Sequence, residues 1–599
     1  MVEVSTTNSR PIVDPREGDL EDDASSSERH TILSLAGSLL AEISVFKLLV
    51  AWLLLIVAPA LILGITPIMV SIWLLKVSDN ALSLSAGIGP ALLLVGLAAL
   101  AWFGGFRLIR FVEQSFWSLN SLAIQPCYAA CREILRHLLV RSVSSVNAGH
   151  RGLTVYAATA LASGILICAA ALLMLWLVWP YTLFETNLGI LASPRLLVFA
   201  ALANSVAVMS VYVAGAALVW SLADATIDPP HDNTELAQSA EDGRVWRVAH
   251  LSDIHVVASR YGFRIESGRA GPRGNERLRH TLKLLEAIHS ENPLHAVLVT
   301  GDMTDAGLST EWSEFLDLLE TYPTLKEIML LVPGNHDLNI VDRANPARLD
   351  LPTSRNKRLR KLRTLSAIDA IQGTRVRLID QSGRRLGESL RTTLAPHLTS
   401  LSAFADNGVP RLMSELFDLW ANAFPMVLPP DDRTGLGIIL LNSNADTHFS
   451  FTNALGMMTS DQMRGIEIAY EQYPDACWII ALHHHVVEYP HGAKAASERI
   501  GTALINGNWF VRRLRRIKGR AILMHGHRHI DWIGMCSDLS IVSAPSPVMG
   551  VTDDLPSYFY IHSISAPPQQ GIRLLEPQRI AVPGHPKHAR PPDQGGRAC

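Results

Sequence analysis

Cysteine is scarce in this 599-residue chain: only Cys127, Cys131, Cys168, Cys477, Cys536 and Cys599 are present. So few in so long a chain exclude a disulfide framework, and free thiols in a reducing compartment are expected. Cys127 and Cys131 stand four apart, but no second pair completes a zinc knuckle. Cys599 is the last residue, whereas prenylation needs a cysteine fourth from the end. An excess of one charge is also missing. With a formal net charge of −3, no nucleic-acid partner is expected, because such a binder carries a strong basic excess. A Walker A pattern is absent, which leaves a P-loop ATPase without support. Charge of either sign is low, at 18% against the ~25% of soluble domains. The deficit is local: residues 45–223 hold 13 charged side chains, and 94 lie elsewhere.

Four stretches of that segment contain no Asp, Glu, Lys or Arg: Leu48 to Leu75, Ala81 to Phe106, Gly152 to Phe184 and Leu196 to Ala223. Each exceeds the ~18–20 apolar residues that cross a bilayer as a helix. Trp52, Trp73, Trp102, Trp176 and Trp179 lie toward their ends, as interfacial anchors do. The sequence therefore predicts an all-α, four-helix transmembrane region over 45–223, preceded by a disordered acidic tail over 1–44. Arginines cluster in 107–151, and the positive-inside rule places that loop in the cytoplasm. Four crossings then put both termini and the large C-terminal part in the cytoplasm of a plasma- or inner-membrane protein. No charged residue lies deep within a span, so an anchor fits better than a transporter.

From residue 224 the composition turns polar, and 224–244 reads as a linker with Pro229 and Pro230. Five short apolar runs then end in Asp, Asn or His. VWRVAHL leads into Asp253-Ile254-His255, and HAVLVT into Gly301-Asp302. EIMLLV leads into Gly334-Asn335-His336-Asp337, CWIIAL into His483-His484-His485, and AILM into His525-Gly526-His527-Arg528-His529. Residues i and i+2 of an extended segment point the same way, so Asp253 and His255 can share one cation. Helical segments alternate with the early runs, the pattern of an α/β fold with its site at strand ends. One such motif is weak, but the ordered set is specific.

The set resembles the calcineurin-like metallophosphoesterase superfamily. LSDIH, GDMTDAG and VPGNHD are most similar to the branch of class III cyclic-nucleotide phosphodiesterases and glycerophosphodiesterase-like enzymes. The resemblance implies a four-layer αββα sandwich over 245–575. It implies that Asp253, His255 and His529 hold one metal, that Asn335, His483 and His527 hold a second, and that Asp302 bridges them. His336 would lie over the substrate phosphate as the catalytic acid. Where the family has His-His-Pro, this chain has His483-His484-His485-Val486; aligning on the strand makes His483 the ligand, with His484 the alternative. His525, Asp305 and Asp337 are expected to support the ligands.

Mixed carboxylate, amide and imidazole donors suit two divalent ions such as Mn, Fe, Zn or Ni. Such a pair generates a hydroxide and clamps a phosphoryl group, so no Ser or Cys nucleophile is needed. Hydrolysis of a phosphodiester or phosphomonoester is the expected reaction, of a cyclic-nucleotide type by resemblance. A lipid-linked phosphate or pyrophosphate is the alternative substrate, and a non-catalytic membrane sensor or scaffold the alternative function. Two basic runs, Arg343 to Arg363 and Arg512 to Arg520, read either as anion-attracting surfaces or as solvated helix faces. Segment 344–430 carries no motif and is expected to cap the pocket. Residues 576–599 are rich in Pro and Gly and read as a disordered tail.

Overall fold

The computed structural model of the chain describes residues 57–84, 148–184, 193–233, 244–258, 274–342, 354–407, 413–490, 504–517, 519–549, 555–567 and 571–584, with scattered positions elsewhere. The acidic tail, most of the stretch 81–106 and most of the loop 107–151 lie outside the described residues. The chain divides into two compact units, one built on residues 40–228 and the other on 229–492 and 501–599.

The first unit is helical: α1 (Ala58–Leu84), α2 (Ala148–Val178) and α3 (Pro194–Ala225). Pro194 sits in the first turn of α3, where its missing N–H is not needed. Two helical stretches, Ala157–Tyr181 and Pro194–Ala225, are long and apolar enough to cross a membrane, and α1 adds a shorter one, Ala58–Trp73. Among the described residues, two of the four expected crossings therefore have the required length. Large apolar side chains such as Trp176 and Val219 face outward. Asn204 is buried midway along α3 and is satisfied by its neighbours. Its Oδ1 accepts from Leu183 N at 2.8 Å, and its Nδ2 donates to Leu183 O at 2.8 Å.

In the second unit the strands, in chain order, are β1 (His231–Asp232), β2 (Val245–Leu251), β3 (Ala296–Val299), β4 (Met329–Leu331), β5 (Arg377–Asp380), β6 (Arg385–Ser389), β7 (Met426–Leu428) and β8 (Leu436–Leu440), then β9 (Cys477–Ala481), β10 (Ala521–His525), β11 (Trp532–Cys536), β12 (Leu539–Ser543), β13 (Ser557–Ser565), β14 (Arg573–Leu574) and β15 (Gln578–Val582). They form two sheets. One runs β1-β11-β12-β10-β9-β8-β7-β5-β6, and the other runs β14-β13-β2-β3-β4, with β15 paired to β13. The strands that lead to the motifs are buried and parallel to a neighbour: β2, β3 and the edge strand β4 in one sheet, and β9 and β10, beside β8, in the other. Such strands are buried on both faces, which is why their sequences are continuous apolar runs rather than alternating ones. Val248, Leu251, Val297, Ile438, Ile479, Ile522 and Met524 share one core, so the sheets pack face to face. Helices α4 (Glu276–Glu291) and α5 (Ser309–Glu320) follow β2 and β3 and turn Leu282, Leu285, Trp312 and Phe315 into that core. This is the mixed α/β sandwich expected of the fold class.

Three expectations need correction. Segment 344–430 is mostly not a separate cap: it supplies β5, β6 and β7 to the larger sheet and a helix, α6 (Arg355–Gln372), whose Leu365 and Ile368 join the main core. The first basic run is likewise only in part a surface where it forms α6. Lys357, Arg360 and Arg363 are buried, Arg360 pairs with Asp350, and Lys357 lies 2.5 Å from Asp446. Charges this deep need partners, and Asp350 and Asp446 supply them. Finally, both linker and tail contribute strands, since β1 pairs β11 and β15 pairs β13.

Candidate metal centre

Five loops converge, each leaving the C-terminal end of a parallel strand. Backbone hydrogen bonds knit the first two together beyond the strands: Asp253 N donates to Gly301 O at 3.1 Å, and His255 N to Asp302 O at 2.9 Å. The chain must turn sharply to aim successive side chains inward, and it does so in the left-handed region. Asp253, His255 and Asp302 have φ of 54°, 47° and 52°, and His527 and His529 have 76° and 51°. Gly301, at φ 100°, allows the ring of His483 to lie where a Cβ would be, and Gly334 does the same for Asp302.

Ligand atoms gather in two sets, each within 4.8 Å: Asp253, His255 and His529, and Asp302, His483 and His527. In the first, His529 Nε2 lies 3.4 Å from His255 Nε2 and 3.3 Å from Asp253 Oδ1. In the second, His483 Nε2 lies 3.1 Å from His527 Nδ1 and 3.0 Å from Asn335 Oδ1. Asp302 Oδ2 is 3.2 Å from His483 Nε2 and 3.8 Å from His255 Nε2, so one oxygen faces both sets. All seven expected ligand positions are thus brought together. A third grouping, of His255, Asp305 and His336, adjoins the first set.

The donor set fits divalent cations. His483 Nδ1 lies 2.7 Å from the Thr300 carbonyl oxygen, which only accepts, so that nitrogen carries the hydrogen and Nε2 presents its lone pair. Asp305 Oδ1, 3.2 Å from His255 Nδ1, does the same for His255. Burial pushes the Asp302 carboxyl up, but His483 and then His336 outweigh it and hold it well below its ordinary value. Burial, then His484 and His483, hold the His527 imidazole well below its ordinary value. His483 goes the other way, up to about 9: burial opposes its charge, but Asp302 and Asp253 demand a positive charge there, a demand that a metal ion also meets.

Asp337 clamps two of the loops. Its carboxylate accepts from Thr304 N at 2.9 Å, Thr304 Oγ1 at 2.7 Å and Gly334 N at 2.9 Å. His336 is held by the Asp305 carbonyl at Nδ1 and stands edge-on to His255, ring centroids 4.5 Å apart. Of the two histidines the sequence left open, His483 stands among the ligand atoms. His484 turns away, its Nδ1 2.9 Å from Ser443 Oγ. His525 is buried with Nδ1 against Gly526 O and lends no atom to either set. Sequence reasoning missed Ser443, whose Oγ also accepts from His483 N at 3.2 Å, and Ser546, whose Oγ donates to Asp253 O at 2.7 Å. Ser443 follows the apolar run of β8, the one signal that pointed to it.

The calcineurin-like phosphoesterase family matches residues 247–531. No curated protein matches the chain. Among solved structures, a dimetal phosphatase from Danio rerio is 11% identical over 57% of this chain and 100% of its own, with a TM-score of 0.33. The NAD nucleotidase of Haemophilus influenzae is 10% identical over 57% of each chain, with a TM-score of 0.28. A Staphylococcus aureus protein named as a 5′-nucleotidase is 11% identical over 58% of this chain, with a TM-score of 0.30, and the match spans 56% of its length.

Proposed function

We propose, from the premise that residues 247–531 are a calcineurin-like phosphoesterase domain and the enzyme a metal-dependent hydrolase of phosphoric esters, that the chain cleaves a phosphodiester at a two-ion centre beside a membrane. Asp253, His255 and His529 would hold one ion, Asn335, His483 and His527 the second, and Asp302 both. The observation that carries this is the single Asp302 oxygen facing His255 Nε2 and His483 Nε2 at once. The bound ions supply an activated water and neutralise charge on the phosphoryl oxygens. The protein does the rest. Thr300 and Asp305 orient two imidazoles, Asp337 holds the Gly334 and Thr304 loops in register, and His336 offers its Nε2 proton to the leaving oxygen.

The apolar helices α2 and α3 support membrane anchoring, and the arginine-rich 107–151 loop supports a cytoplasmic domain. A cyclic-nucleotide-type diester remains the substrate favoured by wording such as VPGNHD. The lipid-linked alternative leans on the basic run after His336, and the burial of Lys357, Arg360 and Arg363 reduces that support. A non-catalytic scaffold is opposed by a ligand set complete at every position. The test is hydrolysis of bis(p-nitrophenyl) phosphate with added Mn. Activity that Asp302→Ala abolishes is the expected result; no activity with any divalent ion overturns the proposal.

A further inference from the structure

The loop after β9 departs from its family's wording at His485, and the loop after β10 carries Arg528 between two proposed ligands. Both lie beside the second ligand set. His485 is 2% exposed, and neither of its ring nitrogens has a hydrogen-bond partner. Its ring lies against His527, centroids 6.0 Å and planes 14° apart, and against Tyr489, 5.8 Å and 20° apart. Those contacts fix the ring plane and leave the nitrogens at its edges. The closest carboxylate belongs to Glu488, at 3.9 Å from Nε2, outside hydrogen-bond reach. Glu488 also faces Arg528 at 3.8 Å, and the Arg528 guanidinium, on a side chain only 8% exposed, lies over the Tyr489 ring at 5.5 Å. A phenylalanine would stack as well as His485 without burying two unmet polar atoms, each of which is costly. The imidazole therefore points to a ligand.

Its place says which part of the ligand. His336 packs on His255, a member of the first set; His485 packs on His527, a member of the second. With the leaving oxygen taken to the His336 side, the His485 side is left for the group that stays on phosphorus. A monoester has no such group, whereas a diester does. We infer that His485 and Arg528 bind an oxygen acceptor on the retained substituent of a phosphodiester, and so select diesters over monoesters. The inference rests on the two-ion phosphoesterase reading above. A sugar hydroxyl and a second phosphoryl oxygen both accept from imidazole and guanidinium N–H groups.

The test uses the full chain in detergent with Mn and three substrates: p-nitrophenyl phosphate, the p-nitrophenyl ester of thymidine 5′-monophosphate, and uridine diphosphate glucose. His485→Phe keeps the stack and removes the donors. The expected result is a fall of about tenfold in the diester-to-monoester ratio of kcat/KM, carried by KM and partly restored in His485→Gln. Arg528→Gln should lower the same ratio. Loss on the nucleoside ester alone assigns a sugar oxygen as the acceptor; loss on the pyrophosphate alone assigns a phosphoryl oxygen. A ratio within about twofold of wild type in both variants overturns the inference, as does an equal loss on all three substrates. Failure of the wild-type chain to hydrolyse any of them overturns the phosphoesterase reading instead, and this inference with it.

Discussion

The imidazole Nδ1 of His336 lies 2.6 Å from the backbone carbonyl oxygen of Asp305. A carbonyl accepts only, so Nδ1 keeps its hydrogen in every protonation state, and proton exchange is confined to Nε2. His336→Asn should therefore lower kcat by about 10²–10⁴ on an alkyl ester, whose leaving oxygen needs a proton, and far less on a p-nitrophenyl ester. A leaving-group series in wild type and variant measures this. Equal losses across the series would remove His336 from the acid role.

One carboxylate oxygen of Asp302 faces both ligand sets. Asp302→Ala should reduce bound metal from two ions per chain to one or none, and lower kcat/KM by at least about 10³. Elemental analysis after dialysis, run beside the assay, separates loss of metal from loss of chemistry. A variant that keeps both ions contradicts the bridging role.

Arg360 is fully buried, pairs with Asp350 and donates from Nε to the Leu338 carbonyl at 3.1 Å. Arg360→Ala leaves a buried carboxylate unpaired and should cost about 3–5 kcal/mol in urea unfolding. Replacing both partners by leucine should recover a large part of that loss, because no uncompensated charge then remains.

Burial holds the His562 imidazole down to about 4. The unfolded chain takes up that proton from pH ~6.5 downward, while the folded chain resists until about 4. Stability from this group is complete above pH ~6.5 and is lost as the pH falls toward 4, amounting to about 2 kcal/mol between pH 6.5 and 5. His562→Phe should flatten the unfolding free energy over that window. An unchanged slope would place the acid sensitivity elsewhere.

The motif strands were legible because a buried parallel strand is a purely local signal: a short apolar run, then a turn that carries the candidate ligands. Asp253, His255, Asp302 and Asn335 could be read that way. The fate of the basic run could not, since whether Lys357 and Arg360 face water depends on Asp446 and Asp350, one far along the chain and the other ten residues away. Nor was β15 visible, because its pairing with β13 gives QRIAV a partner that its Pro-rich surroundings conceal. His483 and His484 are neighbours with identical side chains; the backbone turn and the Ser443 hydroxyl separate the proposed ligand from its neighbour.

Five of the seven proposed ligand positions are non-glycine residues held at positive φ. Each such backbone costs roughly 1 kcal/mol or more. Glycine at any of them would relieve the backbone but remove a candidate ligand atom, so the site holds its geometry against a local cost in folding free energy.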